Sequence, residues 1–209
     1  GISIWFSEIE AEDSIFNRYQ KIDFLSIIIA NAGFSGWGYF WSGTGQNLAF
    51  RKSDFEEIDG FESVKSRISG DDMYLVQTIS KLKSGHLHID PNSYVTTYGM
   101  GSIKAFFNQR VRWSSNAKST LKDEPLFFIF LLITISYNFL ILFSLLFSTF
   151  WIKLFSIKFL LDGLAIFLGS KLFNRTMDFP IYFLWSILQP FYIPLVGLWG
   201  FRGKFTWKP

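Results

Sequence analysis

Between Leu126 and Phe150 the chain reads LFFIFLLITISYNFLILFSLLFSTF, a run without one charged side chain. As a single helix rising about 1.5 Å per residue it would be about 37 Å long, enough to cross a hydrocarbon core of about 30 Å with some tilt. A buried helix of the same character in a soluble protein needs a surrounding mass that 209 residues do not supply. Composition points the same way: 49% of the residues are hydrophobic and 26 are Phe, more apolar surface than a water-soluble domain of this size can hide.

Two further apolar stretches follow. Leu154 to Phe173 is interrupted by Lys158 and Asp162, whose spacing of four places them on one helix side. Ionisable residues there fit either a span with a polar, protein-facing side or a helix lying in the interface. Phe179 to Trp199 contains Pro180, Pro190 and Pro194 and is expected to be kinked or broken. Phe201 to Pro209 is short, basic and aromatic, as suits a headgroup boundary. Lys153, Lys158, Lys171 and Arg175 are spread too evenly for the positive-inside rule to orient the chain.

Composition changes near Pro125, which divides the chain into a polar region, residues 1–124, and a membrane region of two or three helices, residues 125–209. The polar region mixes helical and strand patterns. Helices are expected over Glu12 to Ala30, Lys52 to Ile58, Asp71 to Ser84 and Ile103 to Ser115; strands over Asn47 to Arg51, His86 to Ile89 and Tyr94 to Tyr98. Gly33 to Gly45 is rich in Gly and aromatics and reads as a loop. The net charge of +3 and the lack of an arginine-rich tract argue against nucleic acid; basic residues beside apolar spans instead suit lipid headgroups. With no cysteine there is neither a disulfide framework nor a thiolate metal site. The chain does not open on Met, and Gly1 to Glu10 has no leader pattern, so a longer parent is expected.

Three places in the polar region hold residues suited to chemistry. In SGTGQNLAFRK, Ser42 to Lys52, a small-residue loop lets a ligand approach the backbone, and Arg51 and Lys52 can offset phosphate charge; a tight turn with surface cations explains the same residues. In SGDD, Asp71 and Asp72 open a helix, where Asp71 as N-cap accounts for one acid. The other is then available to face a cleft and accept a proton. In QRVRW, Gln109, Arg112 and Trp113 fall at i, i+3 and i+4, so an amide, a guanidinium and an indole share a helix face. That triple suits a sugar, offering an apolar platform beside directional hydrogen bonds. A juxtamembrane anchor, with Arg110 and Arg112 on lipid phosphate, explains it equally well. His86 and His88 alternate along a strand without an acidic or sulfur ligand at suitable spacing and are assigned no metal.

The order of these pieces carries a resemblance. GTGQNLAFRK, then IDGF (Ile58 to Phe61), then GDDMYL (Gly70 to Leu75), then QRVRW ahead of apolar spans resembles glycosyltransferase family 2, which includes cellulose, chitin and hyaluronan synthases and ceramide glucosyltransferase-like enzymes. The resemblance implies an α/β fold: the C-terminal part of a GT-A-type domain followed by transmembrane or interfacial helices. It implies inverting sugar transfer from a nucleotide-sugar donor to a lipid-linked or polysaccharide acceptor, with membrane lipids as further partners. Asp72 matches the catalytic base. Asp71 stands where most members have Glu. Gln109, Arg112 and Trp113 match QxxRW, at the acceptor end of the site and near the donor diphosphate, and Gly43, Gly45 and Asn47 border the same pocket. Thr206, Trp207 and Lys208 resemble the start of a terminal Trp-Lys-Gly-Arg motif.

The family's Asp-x-Asp metal motif is absent from this chain, although Mg²⁺ or Mn²⁺ is expected for the full-length enzyme. The expectation is therefore a C-terminal portion short of most of the nucleotide pocket and inactive alone. By the same resemblance it sits in the bacterial inner (plasma) membrane with its catalytic part cytoplasmic. A different class, a non-catalytic membrane anchor or assembly partner of a glycan synthesis complex, predicts that Asp72 and Arg112 are dispensable. A small transporter would gather its polar residues within the spans, and here they precede them.

Overall fold

The computed structural model describes residues 1–10, 14–67 and 69–203. Among the described residues, eight α-helices outweigh five short strands, and the chain packs as two compact units. One comprises residues 1–99 and 166–177, the other residues 100–165 and 178–209. Packing thus divides the chain elsewhere than composition does.

In the first unit, β1 (Ile2–Trp5) is the middle strand of a three-stranded sheet. It runs antiparallel to β3 (Leu48–Phe50), with Ile2 opposite Phe50, and parallel to β4 (Gly85–His88), with Ile2 opposite Gly85. A parallel pair, β2 (Ser7–Ile9) and β5 (Val95–Thr97), extends the strand layer. Ile2 and Ile4 alternate inward and close on Leu75, Val76 and Ile79 of α3 (Asp71–Leu82). Phe6 points into a second cluster with Leu25, Ala32 and Phe173.

The long helix α1 (Ile15–Ser35) begins where the Ser14 side chain accepts from the Asn17 amide at 3.1 Å. It runs past Ala30 and through Gly33, into the stretch expected as loop. Gly33 is a single helix-weakening residue, and Asn31 and Ser35 return their polar side chains to the helix's own carbonyls at Ile27 and Ala32. The turn comes only at Gly36 to Gly38, where Gly38 has φ +84°. The short helix α2 (Lys52–Glu57), α3, β4 and β5 fall within a few residues of their expected places.

The second unit is helical. Here α4 (Ile103–Ser115) and α5 (Ala117–Asp123) lead into α6 (Pro125–Phe147), which starts on a proline as first-turn geometry permits. The uncharged run does not form one helix to its end. Ser148 takes an extended conformation, and its hydroxyl accepts from the Phe150 amide at 3.2 Å, opening α7 (Phe150–Leu172). Lys158 and Asp162 pair along α7, as their spacing predicted, and the ammonium lies 5.5 Å from the Trp185 ring. The last turns of α7 belong to the first unit.

The three prolines do not break α8 (Phe179–Arg202): it is continuous, with Pro180 in its first turn and Pro190 and Pro194 inside. Each internal proline removes one helical donor, a loss that the neighbours offset by close packing. At Gly197 an added Cβ would come 2.9 Å from Ile135 of α6, and at Gly200 the Ser114 side chain of α4, with its backbone behind, leaves no room for one. Two helices, α6 and α8, are long and apolar enough to span a membrane. Only 11% of the α6 window is buried, so α6 is not the hidden core helix of a soluble protein.

Candidate functional site

Gly70 sets the geometry of the acid pair. It takes a left-handed conformation, φ 90°, and serves as the N-cap of α3, so the expected cap at Asp71 is not there. Glycine reaches this conformation without the Cβ clash that an aspartate would meet. Asp71 and Asp72 are instead the first two helical residues, and they diverge: Asp71 is exposed and Asp72 is half-buried.

Asp72 turns toward the Ser42 to Asn47 loop. Its Oδ2 accepts from the Gly45 amide at 3.2 Å and its Oδ1 from the Met73 amide at 2.8 Å. Backbone donors and the positive end of the α3 dipole together suit a negative charge at this place. Five residues along α3, the buried Gln77 donates to the Trp41 carbonyl at 2.8 Å, so the same loop is tied to α3 at two points.

The loop residues divide into supports and an open edge. Gly43 is wedged against the core: an added Cβ would come within 2.8 Å of Leu48 Cδ2 and 3.2 Å of Val76 Cγ2. Thr44 Oγ1 and Ser7 Oγ lie 2.8 Å apart. Asn47 donates from its side-chain nitrogen to the Phe6 carbonyl at 2.9 Å and the Ser93 carbonyl at 3.1 Å, fastening the loop to the strand layer. Gly45, by contrast, is exposed, and a Cβ there would make ordinary contact with Asp72 at 3.5 Å.

Gln109, Arg112 and Trp113 lie in the other unit, on α4, at the helical spacing expected of one face. Between them stands Arg110, which the sequence offered only as a lipid-phosphate anchor. It is 3% exposed, so it does not meet lipid phosphate as the anchor reading required. Its guanidinium lies 4.6 Å from the Phe106 ring and 4.3 Å from the Trp113 ring, and donates to Gln109 Oε1 at 2.6 Å. Planar and weakly hydrated, a guanidinium suits such a stack better than an ammonium does. Two of the three predicted residues are thus held by a neighbour whose own role is internal.

The strand histidines are engaged locally. His88 stacks on Trp5 with ring centroids 4.6 Å apart and its Nε2 lies 3.1 Å from Ser3 Oγ; His86 Nε2 lies 3.3 Å from Ser84 Oγ. Among the described residues, no three His, Asp or Glu side chains gather where they could hold a metal ion. Residues 206–208, with the Thr-Trp-Lys tail, lie outside the described residues.

A profile of the family described as Glycosyl transferase family 21 matches residues 32–208, from the last turn of α1 through the membrane helices. It is a ceramide glucosyltransferase-like group of the wider family-2 superfamily, and the match does not extend to the cellulose and hyaluronan synthases. Neither a curated protein nor a solved structure matches the chain.

Proposed function

The chain belongs to glycosyl transferase family 21, and from that premise we propose that it serves inverting transfer of a sugar to a lipid-linked acceptor, with Asp72 as the base. Family membership implies a nucleotide-sugar donor and an acceptor. The observation that carries the reading is the Asp72 carboxylate, set at the start of α3 against the open Gly45 edge of a small-residue loop.

In the proposed step Asp72 takes the proton from the acceptor hydroxyl while that oxygen attacks the anomeric carbon. The new glycosidic C–O bond forms as the bond to the nucleoside diphosphate breaks, and the leaving group departs with the bonding electrons from the opposite face. Configuration at the carbon inverts. Asp71, exposed beside it, is assigned to ligand contact rather than to proton transfer. Gln109, Arg112 and Trp113 keep the acceptor and diphosphate roles that QxxRW implies, and Gly43 and Asn47 shape the loop that presents Gly45.

The parallel pairing of β1 with β4, backed by α3, supports a GT-A-type domain for the first unit. The two apolar helices support an integral membrane protein; its working at the cytoplasmic face of the bacterial inner membrane is proposed from the family resemblance alone. Mg²⁺ or Mn²⁺ on the donor diphosphate remains the expectation for the full-length enzyme, and no step above passes through it. Membranes holding the full-length protein and given radiolabelled nucleotide sugars are expected to move label into organic-extractable material. Label found only in insoluble polysaccharide would overturn the lipid acceptor, and no transfer with any donor would favour the non-catalytic membrane partner.

A further inference from the structure

From Phe24 to Phe50 the chain carries no charged side chain, a second long uncharged stretch lying wholly within the first unit. It covers the C-terminal half of α1, the turn at Gly36 to Gly38 and the loop that leads to Gly45. Its apolar residues are not all inward: Trp37 is 77% exposed, Tyr39 43% and Ile27 38%. The last turns of α7, in the same unit, expose Phe167, Leu168 and Leu172. Ile29 of α1 closes so tightly on Gly169 of α7 that a Cβ has no room there, which brings these two surfaces side by side.

We propose that this joined surface, centred on Trp37, Tyr39, Phe167 and Leu168, is a lipid-contact face that seats the first unit in the headgroup–acyl boundary. Three features favour lipid over another protein as the occupant. A Trp and a Tyr stand out from a charge-free segment, as amphipathic rings do at a membrane interface. A cation borders the patch: Lys171 lies with its ammonium 5.7 Å from the Phe167 ring. Part of the patch is also carried by the last turns of α7, a helix that follows the membrane-length helix α6 in the chain after a two-residue break. The seat has a functional consequence. Only five residues separate Tyr39 from Gly45, whose amide holds Asp72, so the segment that meets lipid also positions the proposed base.

The chain has no cysteine, so single introduced thiols report position. Tyr39→Cys and Leu168→Cys, each labelled with an environment-sensitive nitrobenzoxadiazole, are compared with Phe143→Cys on α6 and with Glu62→Cys at an exposed, charged position in the Glu62–Val64 turn of the first unit. The full chain is placed in phosphatidylcholine–phosphatidylglycerol vesicles, with and without doxyl-labelled lipid. Labels at 39, 168 and 143 are expected to lose at least half their emission to doxyl lipid and to resist aqueous iodide, while the label at 62 does the reverse. Use of two patch positions keeps the test decisive if one variant fails to fold. Quenching at 143 with iodide-accessible labels at 39 and 168 overturns the lipid face alone. Shielding from iodide without doxyl quenching assigns the patch to protein and overturns it too. Loss of doxyl quenching at 143 as well removes the membrane reading on which the inference rests.

Discussion

Arg175 closes on both carboxylate oxygens of Glu8, at 2.6 and 3.0 Å, across 167 positions of sequence. Lys21 adds a third contact at 3.2 Å, and the guanidinium sits 5.2 Å from the Tyr94 ring. Beside it Phe173, fully buried, stacks on Phe6 at 4.4 Å. The segment after α7 is therefore a working part of the first unit's core.

Removing one partner of that pair leaves the other partly buried and unmatched. Arg175→Met is expected to cost about 2 kcal/mol, as for a hydrogen bond to a charged group, or roughly 4 to 8 °C in Tm. Burial alone pushes the Glu8 carboxyl up, but its bonds to Arg175 and the nearby Lys21 outweigh this and hold it below the usual carboxylate range. The folded form therefore binds that proton less readily than the unfolded one. Its stabilisation is full above the ordinary carboxylate value and fades as pH falls through the lowered one. Thermal scans of the detergent-solubilised protein should show this acid-side loss, and Glu8→Gln should flatten it. An unchanged acid profile in Glu8→Gln contradicts the assignment.

Gly43 and Gly45 stand two residues apart yet should respond oppositely to alanine. At Gly43 the new Cβ meets Leu48 and Val76 in the core, for a loss of about 1 to 3 kcal/mol from overpacking. At Gly45 it makes ordinary contact with Asp72, and stability should stay within about 0.5 kcal/mol. Denaturation midpoints of the two variants check this, and equal losses would refute the division of the loop into support and edge.

Arg110 tests whether the α4 triple needs its buried brace. Arg110→Met keeps the apolar stem but removes a desolvated cation–π contact worth about 2 kcal/mol to the fold, and with Gln109 and Trp113 no longer held in place kcat/KM for transfer should fall by about 10- to 100-fold. Arg110→Lys should not restore it, because an ammonium cannot fill the planar gap between Phe106 and Trp113. Steady-state kinetics with donor and acceptor varied in turn provide the readout, and wild-type values in Arg110→Met would show the stack to be idle.

What was legible in the sequence was what depends on local periodicity. Gln109, Arg112 and Trp113 share a face because a helix makes them do so, and Lys158 meets Asp162 for the same reason. The strand at Ile2 to Trp5 was also written there, as the alternation of Ile2, Ile4 and Phe6, a signal that a search for a leader peptide passes over. Asp72 was singled out by resemblance, whereas the cap at Asp71 failed because Gly70 could take a left-handed conformation that the motif does not record. Non-local contacts left no trace. Arg110 looked like a headgroup anchor until Phe106 and Trp113 enclosed it, and nothing near Arg175 announces Glu8. The continuity of α8 through Pro190 and Pro194 rests on packing against α4 and α6, which no window of one helix contains.

The central claim is that Asp72 is the base of a sugar transfer, and one comparison tests it most directly. Membranes containing the full-length protein or its Asp72→Asn variant are given a panel of nucleotide sugars with Mg²⁺ or Mn²⁺, and nucleoside diphosphate release is measured. Asn is isosteric and can still accept from the Gly45 amide, so the variant should fold and sit in the membrane as the wild type does. Release with one donor that falls by about 10²- to 10⁴-fold in Asp72→Asn is the predicted result. A folded Asp72→Asn variant as active as the wild type would contradict it.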